Sequence, residues 1–317
     1  MNRGQSHKKR VKVSAPGKLI LSGEHGVVYG FPALVSAVNL RLAITAERSS
    51  HTEIITEVSG AEKHIKEAIN IVRNQLKLPP DDKYKLVIES QLTSSGMGSS
   101  AALAACLTTS LAALYSKKLG INEVNNIAYK IEELKHTNPS GVDNTITVFG
   151  GTLWYRKETA DLRCVTRVEL SKLPQFVIID SGLAEETTAE MVALVNKVYV
   201  QDKDKTEEIF RSMESLTRSL FSALLTQNFS QITKSINEND VLLDKLGIVS
   251  KRARLMIEEI KRNGGAAKIS GAGGKRTGSG IILAYHKQSR ILFDLARKHN
   301  WIIKPVRLAT EGLRYEK

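Results

Sequence analysis

Residues 93–105, T-S-S-G-M-G-S-S-A-A-L-A-A, place a glycine- and serine-rich loop between a strand pattern and a helix pattern. Upstream, residues 84–90 (Y-K-L-V-I-E-S) alternate with the period of a half-buried strand. Downstream, residues 101–115 are nearly all Ala, Leu, Thr and Ser, a helix-forming run that stops before Gly120. A helix start leaves backbone N–H groups unsatisfied and carries a partial positive charge, so a small-residue loop leading into it can close around an anion. Gly96 and Gly98 permit close approach; Ser94, Ser95, Ser99 and Ser100 add hydroxyls; Ala101 begins the helical run. The loop lacks the Gly-Lys-Ser/Thr ending of a P-loop, and Ala101 stands where a dinucleotide fingerprint has its third glycine. The plain alternative is a helix whose Ser99 or Ser100 merely caps its first turn.

The 46 basic against 33 acidic residues give a formal charge of +13, which favours anionic partners such as nucleotides, nucleic acid or acidic membrane. Part of that excess, Arg3, Lys8, Lys9 and Arg10, sits in a polar N-terminal arm. Lys12 and Lys18 interrupt residues 11–22, so they do not form the apolar core of a signal peptide. No run approaches the ~18 apolar residues of a membrane span. Aromatics are only 5% and no RNA-recognition motif or finger is present, which argues against a nucleic-acid binder. Cys106 and Cys164 have no metal or redox spacing, so a reducing cytoplasm is the expected location.

Elsewhere, polar groups cluster in segments that local structure does not explain. A strand from residue 11 runs into A-P-G-K-L-I-L-S-G-E-H, where Lys18, Glu24 and His25 put a cation, a carboxylate and an imidazole within eight residues. Residues 27–29 and 33–38 read as a hairpin turned at Gly30-Phe31-Pro32, with a further strand at 42–47. Helical stripes cover 61–76 and 121–134. The second closes in H-T-N-P-S-G-V-D-N, where turn chemistry accounts for Asn138, Pro139 and Gly141 but not for Glu132 and Asp143.

Strands are expected at 148–155, 164–170 and 176–180, the first with a Gly-Gly bulge, and helices through 187–245. A helix at 251–262 precedes a second glycine-rich segment, A-K-I-S-G-A-G-G-K-R-T-G-S-G, followed by strand 281–285, helix 289–298 and strand 302–308. The length allows two domains, and the second half reads as helices on a small antiparallel sheet, an α+β arrangement.

Three blocks in this order, P-G-K-L-I-L-S-G-E-H-G-V-V-Y-G, G-M-G-S-S-A-A and K-I-S-G-A-G-G, resemble the signature motifs of the GHMP small-molecule kinases. N-P-S-G-V-D-N and E-H-G-V-V-Y-G resemble the mevalonate kinase branch. The resemblance spans about residues 11–285. It implies a two-domain α+β GHMP kinase fold. Residues 1–172 would form an N-terminal domain like the second domain of ribosomal protein S5, and residues 173–317 a ferredoxin-like C-terminal domain, with the final strand able to return to the first. It also implies phosphorylation of the mevalonate 5-hydroxyl by Mg-ATP, giving 5-phosphomevalonate for isoprenoid and sterol precursors.

By motif matching, Asp143 and Lys18 take the catalytic places, Ser100 and Glu132 those of the Mg2+ ligands, and Glu24, His25 and Thr187 places near the acceptor. Ser94, Ser95, Gly96, Gly98, Ser99, Ser100, Ala101, Gly271 and Gly273 form the ATP-binding loops. A homodimer and inhibition by prenyl diphosphates are further family expectations. The chain departs from the pattern at residues 92–95, at Thr137, and at Lys275, Arg276 and Thr277, where glycine and small residues are usual. Two long cations there either contact a phosphate or point to solvent. Another GHMP kinase with a different acceptor, or a catalytically silent ligand-binding relative, stays open at this point.

Overall fold

The computed structural model describes residues 10–57, 62–79, 83–92, 95–134, 139–159, 162–170 and 172–316. Two sheets organise these residues. The first contains β1 (Arg10–Ser22), β2 (Ala33–Arg48), β3 (Glu53–Thr56), β4 (Tyr84–Ser90), β5 (Thr152–Lys157) and β6 (Arg163–Val168). Helices α1 (Glu62–Leu76), α2 (Ser99–Leu114), α3 (Ile121–Glu132) and α4 (Val142–Phe149) accompany it. The second contains β7 (Phe176–Asp180), β8 (Ala266–Ile269), β9 (Ile281–Tyr285) and β10 (Ile303–Val306), with α5 (Thr188–Gln201), α6 (Lys203–Leu225), α7 (Phe229–Lys245), α8 (Lys251–Arg262) and α9 (Arg290–His299). A last strand, β11 (Arg314–Glu316), returns to the first sheet and pairs antiparallel with β1.

The order in the first sheet is β11-β1-β2-β4-β3, with β5 joining β2 and β6 joining β5. The second is antiparallel in the order β10-β7-β9-β8. Several elements differ from the sequence expectation. Residues 33–48 form one strand, not two: its first part pairs with β5, its later part with β4, and β1 runs along its other side. Residues 27–29 belong to a short 3-10 turn, Gly26–Tyr29, instead of a hairpin arm. Val148 and Phe149 end α4, so the expected strand begins only at Thr152, after two glycines with positive φ.

Helix α2 lies against both β1 and β2 as well as α3. Its run of Ala, Leu, Thr and Cys is buried on nearly every side, which explains why it has no polar face. In β7, Phe176 and Ile178 join the core that contains α2, whereas Val177 and Ile179 join a separate core under the helices of the second half. Period-two alternation thus sends neighbouring side chains into different cores. No helix among the described residues is long and apolar enough to cross a membrane.

The two glycine-rich loops touch backbone to backbone. A Cβ on Gly96, where φ is +96°, would lie 2.5 Å from the Ser270 carbonyl oxygen. Gly247 also has positive φ, +74°, but open space around it. Gly247→Ala should therefore report backbone strain alone, about 1–2 kcal/mol, and Gly96→Ala strain plus a clash with a loop that cannot retreat. Urea denaturation should rank Gly96→Ala as the more destabilised of the two.

Candidate active site

Strand β1 is buried from Val13 to Ser22, and Lys18 lies inside that stretch, 3% exposed. A buried ammonium is costly without a counter-charge. Its Nζ lies 3.3 Å from Oδ1 of Asp143, in the first turn of α4. The turn before α4 is held from several sides: Tyr155 donates to the Ser140 carbonyl at 2.6 Å, and Lys157 and Tyr129 donate to the Pro139 carbonyl at 3.1 and 3.3 Å. The Asp143 carboxylate is therefore delivered to Lys18 by a braced turn.

The stem of Lys18 rests on the start of α2: a Cβ on Gly98 would meet its Cγ at 2.9 Å. Gly98 is the N-cap and has no side chain with which to cap the helix. The capping alternative for Ser99 or Ser100 also fails, because both lie inside α2 and no side chain caps its start; the Ser100 hydroxyl donates to Glu132 Oε1 at 2.6 Å. The N-terminus of α2, the Ser100–Glu132 pair and the Lys18–Asp143 pair thus form one continuous surface.

A cleft of about 550 Å³ opens onto it, lined by Lys18, His25, Glu132, Asp143 and Gly271 among others. Its opposite wall is one face of α5, with Thr188, Ala189, Val192, Ala193 and Asn196. Another hollow of similar size, near Arg252 and Trp301, contains none of these groups, so volume alone does not identify the site.

His25 has φ of +57° and places Nε2 3.0 Å from the Ala272 carbonyl oxygen. A carbonyl only accepts, so Nε2 carries the proton and Nδ1 is left as an acceptor. Burial pushes the imidazole below its ordinary 6.5, which keeps the ring neutral.

The family model described as the GHMP kinases N terminal domain matches residues 63–151. Mevalonate kinase of Thermococcus sibiricus is 30% identical, with 97% of this chain and 98% of that protein aligned. The mevalonate kinase of Methanothermobacter thermautotrophicus is also 30% identical over 95% of this chain and 98% of that protein. The chain belongs to the mevalonate kinase family.

The L. major mevalonate kinase, solved in complex with R-mevalonate, shares the fold at a TM-score of 0.84, covering 98% of this chain and all of that one at 23% identity. Within this mevalonate kinase architecture, part of the set singled out in the sequence converges. Lys18, Asp143, Glu132, His25 and Gly271 border the cleft, and Ser100 reaches it through Glu132. Ser95 lends its carbonyl to Ile281, Ser99 is exposed at the start of α2, and Ala101 is buried inside it. Gly273 packs on the Ile248 carbonyl, and Ser94 lies outside the described residues.

Two acceptor assignments differ from expectation. Glu24 is fully enclosed and paired with Lys268, so it does not face the cleft. Thr187 caps α5, its hydroxyl accepting from Glu190 N at 3.2 Å, and the adjacent Thr188 lines the cleft in its place.

Sequence reasoning missed His64, whose Nε2 lies 3.2 Å from Ser100 Oγ. No signal marked it, because it flanks the apolar stripe of a helix read as structural. The α5 wall did leave a trace, small or polar residues at 188, 189, 192, 193 and 196, one helical face.

Lys275, Arg276 and Thr277 are exposed, and they engage the segment before α5, not the cleft. Arg276 lies 3.6 Å from both Glu185 and Glu186, and Thr277 donates to the Leu183 carbonyl at 3.0 Å. The double variant Lys275→Gly/Arg276→Gly should leave the KM values for nucleotide and acceptor within about twofold, since exposed ion pairs contribute little; steady-state kinetics checks this.

His25 gives a stability signature of its own. The folded state resists protonating it, whereas the unfolded chain takes the proton near 6.5, so its contribution is present above that pH and lost as pH falls below it. His25→Gln should make the acid limb of a pH-dependent denaturation series shallower from about pH 6.5 downward.

Proposed function

We propose that this chain phosphorylates the 5-hydroxyl of mevalonate with ATP, in the cleft between the start of α2 and the face of α5. The observation that carries the reading is the 3.3 Å approach of Lys18 Nζ to Asp143 Oδ1 beside a helix start that lacks a capping side chain. Phosphoryl transfer passes through a loose transition state with charge spread over the transferred oxygens, so positioning and charge neutralisation do most of the catalysis. The N–H groups of α2 receive phosphate oxygens. Asp143 orients the acceptor hydroxyl and takes its proton as the O–P bond forms and the bond to the ADP oxygen breaks. Lys18 pairs with that carboxylate and stabilises the developing alkoxide.

Ser100 and Glu132 would supply hard oxygen ligands to a metal ion; their hydrogen-bonded oxygens lie 2.6 Å apart, and Glu132 lines the cleft. Among the described residues, no group of three or more His, Cys, Asp and Glu is arranged to hold a metal. So small a protein set suits Mg2+, which keeps phosphate and water in its shell. Bound with the nucleotide, the ion would neutralise phosphate charge. His25 Nδ1 offers an acceptor to a hydroxyl, and the α5 wall a largely apolar surface to a branched carbon skeleton.

Coupled measurement of ADP release, with mevalonate, phosphomevalonate, homoserine and galactose as acceptors, tests this reading. Turnover with mevalonate is expected, with Asp143→Ala lowering kcat on the order of 10²–10⁴-fold. Turnover confined to another acceptor would move the substrate while keeping the chemistry. ATP binding without turnover on any of the four would sink the kinase reading.

A further inference from the structure

Lys268, in β8 of the second half, carries an ammonium that is 0% exposed and directed into the first half. It donates to the Ile20 carbonyl at 3.1 Å, to its neighbour's Ile269 carbonyl at 3.0 Å, and to the carboxylate of Glu24, which is also 0% exposed. The other Glu24 oxygen faces Asn239 of α7 at 3.5 Å. Two residues on, Ser270 Oγ accepts from Ile20 N at 3.0 Å and lies 3.2 Å from Ile20 O.

Strand β1 loses its register against β2 between Ile20 and Ser22, so side chains of the second half serve the backbone at that irregularity. Lys18 stands two residues before Ile20, and His25, with φ of +57° and ψ of −44°, directly follows Glu24. A non-glycine residue in that conformation persists only where its surroundings over-determine it. The cleft does not reach Glu24 or Lys268, so substrate contact does not account for the pair.

We propose that Glu24 and Lys268 are positioning residues, an ion pair bridging the two halves that fixes the Ile20 irregularity and the positive-φ His25, and thereby aims Lys18 at Asp143 and His25 at the acceptor. The K-I-S part of the third motif is then a fastening to β1, distinct from the glycines that follow it. Burial draws the Lys268 ammonium down from its ordinary range, and Glu24 and Asp240 oppose that pull while Lys18 adds to it. The proposal deepens the kinase reading and rests on it for its kinetic test.

The test compares Lys268→Met, Glu24→Gln and the double variant Glu24→Gln/Lys268→Met. Each single change strands a buried charge or its partner and should lower Tm; the double change removes both charges and should recover most of the loss. Positioning predicts that kcat of the recovered double variant stays down on the order of 100-fold, with KM for ATP within about twofold. The ring ¹⁵N signals of His25, assigned by their absence in His25→Gln, should also move from the Nε2-protonated pattern toward a mixture of tautomers.

Wild-type kcat with wild-type His25 signals in the double variant would overturn the proposal and leave the pair merely structural. If the double variant does not fold, Glu24→Asp keeps the charge and shortens its reach. Lowered kcat at unchanged ATP KM then supports positioning, and unchanged kcat overturns it. A wild-type chain inactive on all four acceptors would instead defeat the kinase reading, while the His25 spectra would still decide the proposal.

Discussion

An ammonium in the middle of a buried strand sets the terms for what surrounds it. Lys18 is almost wholly withdrawn from solvent, so a carboxylate must be brought to it and held there. The short α4, its Pro139–Gly141 approach and the three side chains that fasten that approach make sense as the means of delivering Asp143. The requirement for charge compensation also makes the pair reactive. A carboxylate and an ammonium this close together can share the proton and the negative charge of an alcohol under attack.

Much of this was legible because chemistry and local structure disagreed in the sequence. Glu132 and Asp143 exceeded what the Asn-Pro-Ser-Gly turn needed, and both border the cleft. Where strands lie deep, as at Phe176–Asp180 and Ile281–Tyr285, apolar runs marked their limits correctly. The same logic misjudged Glu24. Three charged or polar types in eight residues signalled a polar environment, but for Glu24 that environment is Lys268, contributed from 244 residues later. Linear spacing does not distinguish a ligand's partner from a partner in the fold.

The other misreadings have comparable causes. Asn39-Leu40-Arg41 looked like an interruption of β2, yet Arg41 donates to the carbonyls of Ser14 and Gly312 at 2.9 and 2.7 Å. Its polarity satisfies backbone groups beside a continuous strand. Val27 and Val28 carry strand-favouring side chains, but the positive-φ turn at His25, closed by Gly26 N donating to the Glu24 carbonyl at 2.6 Å, leads the chain into a 3-10 segment before strand propensity can act. Val148 and Phe149 were drawn toward the following strand by their apolar character, whereas the helix continues to the Gly150-Gly151 reversal.

The return of β11 to β1 has a consequence in time. Lys12 pairs with Glu316 and Ser14 with Arg314, while Val38 bridges to Leu308 and Gly150 to Glu311. On a ribosome, β1 emerges early and residues 308–316 some three hundred residues afterwards. Through that interval one edge of the first sheet has no strand against it, and an open edge is a template for other chains. Closing so long a loop is also the slow part of a topology rich in distant contacts. Synthesis of the second half is therefore a period of exposure for the first, and it ends only when β11 docks.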